Sequence, residues 1–393
     1  MTAHNGFPLT AWATVNALGQ STSDVIDALR KTQPAFSEPP RGTGFQTVCG
    51  MVDANVAPLP ASLADLDSRN NRFIAQSLSE MKPEIDAALE RWSAARVGIC
   101  VGSSTAAMDE IESAFRTNAS TGKLPDGFDV LAKGSADGLV RAVQSLTGIQ
   151  GPSAVLSNAC ASSGKAFASA KRWLEADLVD AVLVGGADSL CQLTLRGFRA
   201  LGLLAPGPSR PFGLNREGIH IGEGAAFCLM EREGEGPLFL GAGETADAHH
   251  MTTPDPEGKG ARAAMHQALE QAGLAPEDID YINAHGTGTR FNDEMEATAI
   301  RGVLGDAQKN PIVASTKGFV GHTLGAAGAI EAVFVLASLV HQFTPASLGA
   351  HPVDPGLPIQ IATETTQTSL NFALSNSFAF GGSNVSLVFG APQ

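Results

Sequence analysis

The stretch Val179-Asp-Ala-Val-Leu-Val-Gly-Gly186 constrains this chain most. A strand with one wet face alternates polar and apolar residues, so a near-continuous apolar run reads as a strand covered on both faces. Such strands need helices above and below. The rest of the chain offers them. Arg96–Val101 is a second apolar run, and strand-like segments at 8–15, 154–156, 225–231, 238–242, 279–283 and 312–315 alternate with helical ones at 24–31, 63–92, 107–115, 139–146, 258–272, 293–304 and 324–341. Ser23 is the expected cap of the first helix, and Gly273 closes the helix before it. Segments 372–378 and 385–389 flank Gly381-Gly382 as a hairpin. This alternation predicts an α/β fold with covered sheets. The charged, Gly-rich stretch Arg232–Pro237 predicts a seam between residues 1–235 and 236–393, although no duplication is visible in the sequence.

Composition narrows the function. With 393 residues, 44% hydrophobic and 17% charged, the chain is globular and long enough for a large core. A net charge of −14 argues against a nucleic-acid or anionic-membrane partner. Five cysteines with no metal-binding spacing, and no secretory leader evident, fit a reducing, cytoplasmic setting with no metal site. The most apolar helix, Ala329–Val340, is interrupted by Glu331 and is too short to span a bilayer.

The chemistry gathers at three motifs. Cys160 lies in Ser157-Asn-Ala-Cys-Ala-Ser-Ser-Gly164, between a short apolar strand and an Ala-rich helix. At a strand-to-helix turn, free N–H groups and the helix dipole favour the thiolate. His285 and His322 each follow a strand and sit among Gly and Thr, in Asn283-Ala-His-Gly-Thr-Gly-Thr289 and Gly321-His-Thr-Leu-Gly325. Such loops let a backbone approach a ligand while the imidazole points into a site. One cysteine and two imidazoles can supply a nucleophile and donors for a developing enolate.

These motifs, together with Lys317-Gly-Phe-Val-Gly-His322, Asn376-Ser-Phe-Ala-Phe-Gly-Gly-Ser-Asn384, Ser209-Arg-Pro-Phe212 and Gly222-Glu-Gly-Ala225, resemble the elongating β-ketoacyl-acyl carrier protein synthases over about residues 8–389. The resemblance implies a thiolase fold: two similar α/β halves packed as five layers, αβαβα, with Cys160 in the first half and both histidines in the second. It implies decarboxylative condensation of malonyl-carrier protein with an acyl group held on Cys160. His285 and His322 would donate to the enolate, Lys317 and Glu331 would organise the second histidine, and the N–H groups of Cys160 and Phe380 would form the oxyanion hole. Phe380 would also gate the site, while Thr287, Thr289 and Phe378 would contact substrate. Substrates would arrive on acyl carrier protein, so no separate cofactor is expected. The assembly would be a homodimer or a heterodimer with a related subunit. Docking an acidic carrier to an acidic chain needs local cations, and Arg69, Arg72 and Lys123 are the candidates.

Three departures from the family pattern stand out. Lys317-Gly318 replaces the usual Lys-Ser, Glu217-Gly-Ile-His220 replaces Asp-Gly-Phe, and Arg290-Phe291 replaces Pro and a small residue. They point to a specialised acyl substrate in fatty-acid, polyketide or polyene synthesis. A non-catalytic chain-length-factor-like partner is the alternative, opposed by the presence of Cys160. A degradative thiolase would need a second cysteine near the C-terminal hairpin, where Phe378-Ala-Phe380 stands instead.

Overall fold

The computed structural model describes residues 6–40, 43–53, 55–305 and 310–392. The first part runs β1 (Phe7–Asn16), α1 (Thr22–Arg30), β2 (Cys49–Gly50), α2 (Arg69–Glu80), α3 (Lys82–Trp92), β3 (Val97–Gly102), α4 (Met108–Thr121), α5 (Val130–Gly134), α6 (Asp137–Thr147), β4 (Ser153–Leu156), α7 (Ser162–Glu175), β5 (Ala181–Asp188), α8 (Gln192–Ala200), β6 (Ile221–Gly222) and β7 (Gly224–Glu231). The second runs β8 (Leu238–Ala246), α9 (Lys259–Ala272), β9 (Tyr281–Asn283), α10 (Arg290–Leu304), β10 (Ile312–Ala314), α11 (Lys317–Val320), α12 (Ala327–His341), β11 (Phe343–Thr344), β12 (Thr366–Gln367), β13 (Phe372–Ala379) and β14 (Ser383–Gly390).

Ten strands form one sheet in the order β10-β9-β13-β14-β8-β1-β7-β5-β3-β4. It divides at β1, which pairs with β7 from Leu9 to Asn16 but with β8 only at Phe7 and Pro8. The same wiring recurs on either side. In the first half β3 lies parallel between β4 and β5, β5 runs antiparallel to β7, and β7 to β1. In the second half β9 lies parallel between β10 and β13, β13 runs antiparallel to β14, and β14 to β8. The duplication hidden in the sequence is therefore explicit in the pairing.

Helices α7 and α12 touch strands of both halves and form the middle layer. Helix α2 covers β7 and β1 on one outer face, and α9 covers β8 and β14 on the other. The result is the five-layer thiolase fold. Helix α12 is buried from Ala327 to Leu339, which explains why it is apolar all round. The stretch Leu324–His341 is long and apolar enough to cross a membrane, yet 89% of it is buried inside the protein. The two middle helices approach closely: a Cβ on Gly328 would stand 2.7 Å from the Gly164 nitrogen.

Three local expectations change. The cap of α1 is Ser21, not Ser23; its Oγ accepts the Asp24 N–H at 3.2 Å. The helical region 63–92 is a 3₁₀ segment, Ala61–Leu66, followed by α2 and α3, which break at Met81. Pro83, in the first turn of α3, lacks the N–H that a continuous helix would need there. Helix α8 was not foreseen; Leu195 is its sole buried residue.

Candidate active site

Cys160 emerges between β4 and α7, immediately ahead of the helix cap Ala161. The preceding residue, Ala159, holds φ at +48°, a region costly for a side chain with a Cβ. Its carbonyl accepts the hydroxyls of Ser104 (3.0 Å) and Ser162 (2.6 Å), which hold the turn in place.

His322 occupies the matching place in the second half, between β10 and α12. Its N–H donates to the His220 carbonyl at 2.8 Å, and its own carbonyl accepts from the Gly222 N–H at 3.0 Å. Backbone clamped on both sides leaves the ring to point at Cys160, with Nε2 2.9 Å from Sγ. His285 follows β9. The Glu296 carboxylate accepts the N–H groups of His285 (2.8 Å) and Gly286 (2.7 Å), fixing the loop from α10. The two imidazoles meet edge to face at 5.4 Å, and Phe378 packs on His285 at 6.1 Å. Ligating atoms of Cys160, His285 and His322 lie within 4.8 Å of one another.

Behind them the Lys317 ammonium pairs with Glu331, both side chains almost wholly buried. Burial, then the Lys317 charge, holds both imidazoles well below their ordinary range, so they are neutral. Burial also pushes the Cys160 thiol up to about 12, with Lys317 pulling the other way. The thiolate preference expected from the helix dipole is thus overridden by desolvation. The resting pair is a thiol beside a neutral imidazole.

A cavity reaches these groups. Cys160, His285, His322, Thr287, Thr289, Phe378 and Phe380 all line it, while Lys317 and Glu331 stand outside the lining. Phe380 stacks on Phe198 at 5.7 Å, and the Thr287 and Thr289 hydroxyls bond at 2.8 Å. Phe198 and Leu203, from α8 and the turn after it, are wall residues that the sequence reading missed.

The docking candidates are not at this pocket. Arg69 is drawn inward to the fully buried Glu223 (Nε to Oε2, 3.0 Å) and to the Val52 carbonyl, and Arg72 pairs with Asp67. Both guanidinium groups are thus already paired within the chain. Lys123 is exposed just beyond α4, and none of the three lines the cavity.

The departures also find their places. A Cβ at residue 318 would lie 2.8 Å from the Leu348 carbonyl oxygen, so the site requires Gly318. Ile219 lines the cavity, but the His220 ring does not. It is buried, and its Nδ1 accepts the Ser209 N–H at 3.0 Å. Phe291 lines the cavity and is 65% exposed, which places it at the rim.

The chain matches the family described as beta-ketoacyl synthase, N-terminal domain, over residues 10–235, and its C-terminal domain over residues 238–351. It is 30% identical to Nodulation protein E of Rhizobium meliloti, across 97% of this chain and 98% of that protein. It is 33% identical to 3-oxoacyl-[acyl-carrier-protein] synthase 2 of Staphylococcus aureus (strain COL), across 76% and 75%. Among solved structures, the ketosynthase ApeO in complex with its chain length factor ApeC, from Xenorhabdus doucetiae, matches at 36% identity and a TM-score of 0.91, with 100% of both chains covered. The ishigamide ketosynthase/chain length factor matches at 25% and 0.89, covering 99% of this chain and 100% of that one. With its nucleophile and both imidazoles in one cavity, the chain belongs to the β-ketoacyl synthase family and is an acyltransferase of the Cys-His-His type.

Proposed function

We propose that this chain is the catalytic subunit of a specialised elongating synthase, paired with a related chain-length-factor-like subunit and fed by acyl carrier protein in the cytoplasm. The observation that carries the reading is the complete constellation, with Cys160 Sγ 2.9 Å from His322 Nε2, in a chain similar over its full length to ketosynthase–chain length factor complexes.

The neutral His322 takes the thiol proton as Cys160 attacks the acyl-carrier thioester, and the departing pantetheine thiol receives it. Acylation takes the thiol hydrogen away from Nε2, and His322 acts next as the neutral tautomer with its own ring hydrogen on Nε2, the form that can donate to the second substrate. Malonyl-carrier protein then loses carbon dioxide, and His285 and His322 donate to its thioester oxygen as charge develops. The carbanion attacks the acyl carbonyl, whose oxygen is held by the N–H groups of Cys160 and Phe380. The tetrahedral intermediate expels Cys160 as the thiolate, which takes a proton from solvent as the β-ketoacyl-carrier product leaves. Each donor lost from such a site costs about 2.7–4 kcal/mol in barrier. Burial, reinforced by the Lys317 charge, keeps the imidazoles neutral, and Glu331 balances that charge. The substrates carry their own pantetheine arm, threaded past Thr287 and Thr289, so no separate cofactor takes part.

The partner has a natural seat at β4. This strand ends the sheet, its Ala154, Val155 and Leu156 are only half-buried, and Cys160 follows directly. An apolar edge strand of this kind invites pairing with a second chain. The chain-length-factor reading of this chain itself has Cys160 against it.

Intact-protein mass after mixing with a panel of acyl-carrier proteins tests the chemistry. The expected result is a gain equal to the acyl group in the native chain and none in Cys160→Ala. No adduct from any intact carrier, alone or with a co-expressed synthase-like partner, would defeat the proposal. A stable homodimer that condenses fully without a partner would defeat the heterodimer alone.

A further inference from the structure

Asp188 takes no part in the steps above. It ends β5 and is fully buried. Its Oδ1 accepts the Ser103 hydroxyl (2.8 Å), the N–H groups of Ser104 (2.9 Å) and Thr105 (2.7 Å), and the Thr105 hydroxyl (2.7 Å). Its Oδ2 accepts the Ala326 N–H at 2.9 Å. These partners lead in two directions. Ser104 passes its own hydroxyl to the Ala159 carbonyl at 3.0 Å, bracing the residue held at φ +48° just ahead of Cys160. Ala326 stands at the entry to α12, a few residues beyond His322. There Gly325 leaves the room the carboxylate needs: a Cβ would lie 2.8 Å from Asp188 Oδ2 and 2.6 Å from the Ser104 nitrogen.

We infer that Asp188 is a positioning residue for the condensation, setting the distance between Cys160 and His322 by gripping with one carboxylate both the turn that braces Ala159 and the backbone that follows His322. The two catalytic groups come from different halves of the chain, and Asp188 bridges them where they converge. Its charge does not activate the nucleophile, because a nearby carboxylate disfavours the thiolate, as the thiol itself registers. What it contributes is geometry, to which a reaction of this kind is sensitive at the ångström level.

The test separates the two arms. Acyl loading of Cys160 is followed by mass, and release of carbon dioxide from malonyl-carrier protein is followed independently, with thermal stability recorded for each variant. Ser104→Ala cuts only the arm to Ala159. Loading is expected to slow roughly tenfold, the scale of one lost hydrogen bond at a strained turn, while decarboxylation stays native. Ser104→Thr restores the hydroxyl and should restore loading. Asp188→Asn sets an amide N–H₂ against backbone donors and is expected to slow both half-reactions by at least about tenfold. Native loading in Ser104→Ala, or equal losses in both half-reactions there, would overturn the inference. So would a folded Asp188→Asn with native rates. Should Asp188→Asn fail to fold, the Ser104 pair decides alone.

Discussion

The two halves share one wiring and use it differently. In the first, β4 leads through Cys160 into α7; in the second, β10 leads through His322 towards α12. The helices that follow meet at Gly164 and Gly328, so the two turns are brought face to face. The turns after β3 and β9 also correspond. A buried carboxylate grips backbone N–H groups at each: Asp188 at Ser104 and Thr105, Glu296 at His285 and Gly286. One turn carries hydroxyls that serve the scaffold, and the other carries an imidazole that serves the reaction. A duplicated frame fixes where a side chain can act, and the residue placed there decides whether it does.

The comparison is broken most severely at Lys317. On α7, Lys165 and Arg172 both reach the half-buried Glu244, whereas the Lys317–Glu331 pair is sealed in. Lys317→Met leaves Glu331 buried and unpaired, and is expected to cost about 3–5 kcal/mol in denaturant unfolding. Adding Glu331→Leu should recover most of that stability without restoring decarboxylation. A double variant as unstable as the single one would show that the pair holds the half together by itself.

The helix crossing comes next. Gly328→Ala forces a methyl against the Gly164 backbone and should cost about 1–3 kcal/mol. Gly197→Ala in α8, where a Cβ meets nothing within 4 Å, should instead stabilise by up to about 1 kcal/mol. Equal effects of the two changes would mean that the halves do not lock at that contact.

The smallest effect lies at Glu296, which burial pushes up to about 7 against the pull of the Gly286 and His285 N–H groups. Because the folded value is raised, its contribution to stability is fully present below the unfolded value of about 4.3 and is lost as pH rises through 7. Catalysis runs the other way. Protonation turns an acceptor into a donor facing N–H groups, so turnover should fall by up to about tenfold per pH unit below 7. Glu296→Gln should flatten that limb; an unchanged limb would assign it to another group.

The reacting residues were legible because local sequence displays their settings: Cys160 lies at a strand-to-helix turn, and His285 and His322 lie in Gly-flanked loops after strands. The duplication was not, because it resides in backbone pairing while the side chains of the halves have diverged. The Arg69–Glu223 pair was not legible, because Glu223 is remote in the chain and joins Arg69 only on folding. The protonated state of Cys160 escaped for a similar reason: the dipole of α7 is local, but the burial that outweighs it is built by both halves.

Strand β1 sets a schedule for making this protein. Residue 9 pairs with residue 230, and the pairing of Phe7 with Phe239 crosses into the second half. At about 5–20 residues per second, a ribosome needs roughly ten to fifty seconds to supply the first of those partners. Throughout that interval β1 has neither of its strand partners, and its apolar face waits exposed until the sheet assembles around it.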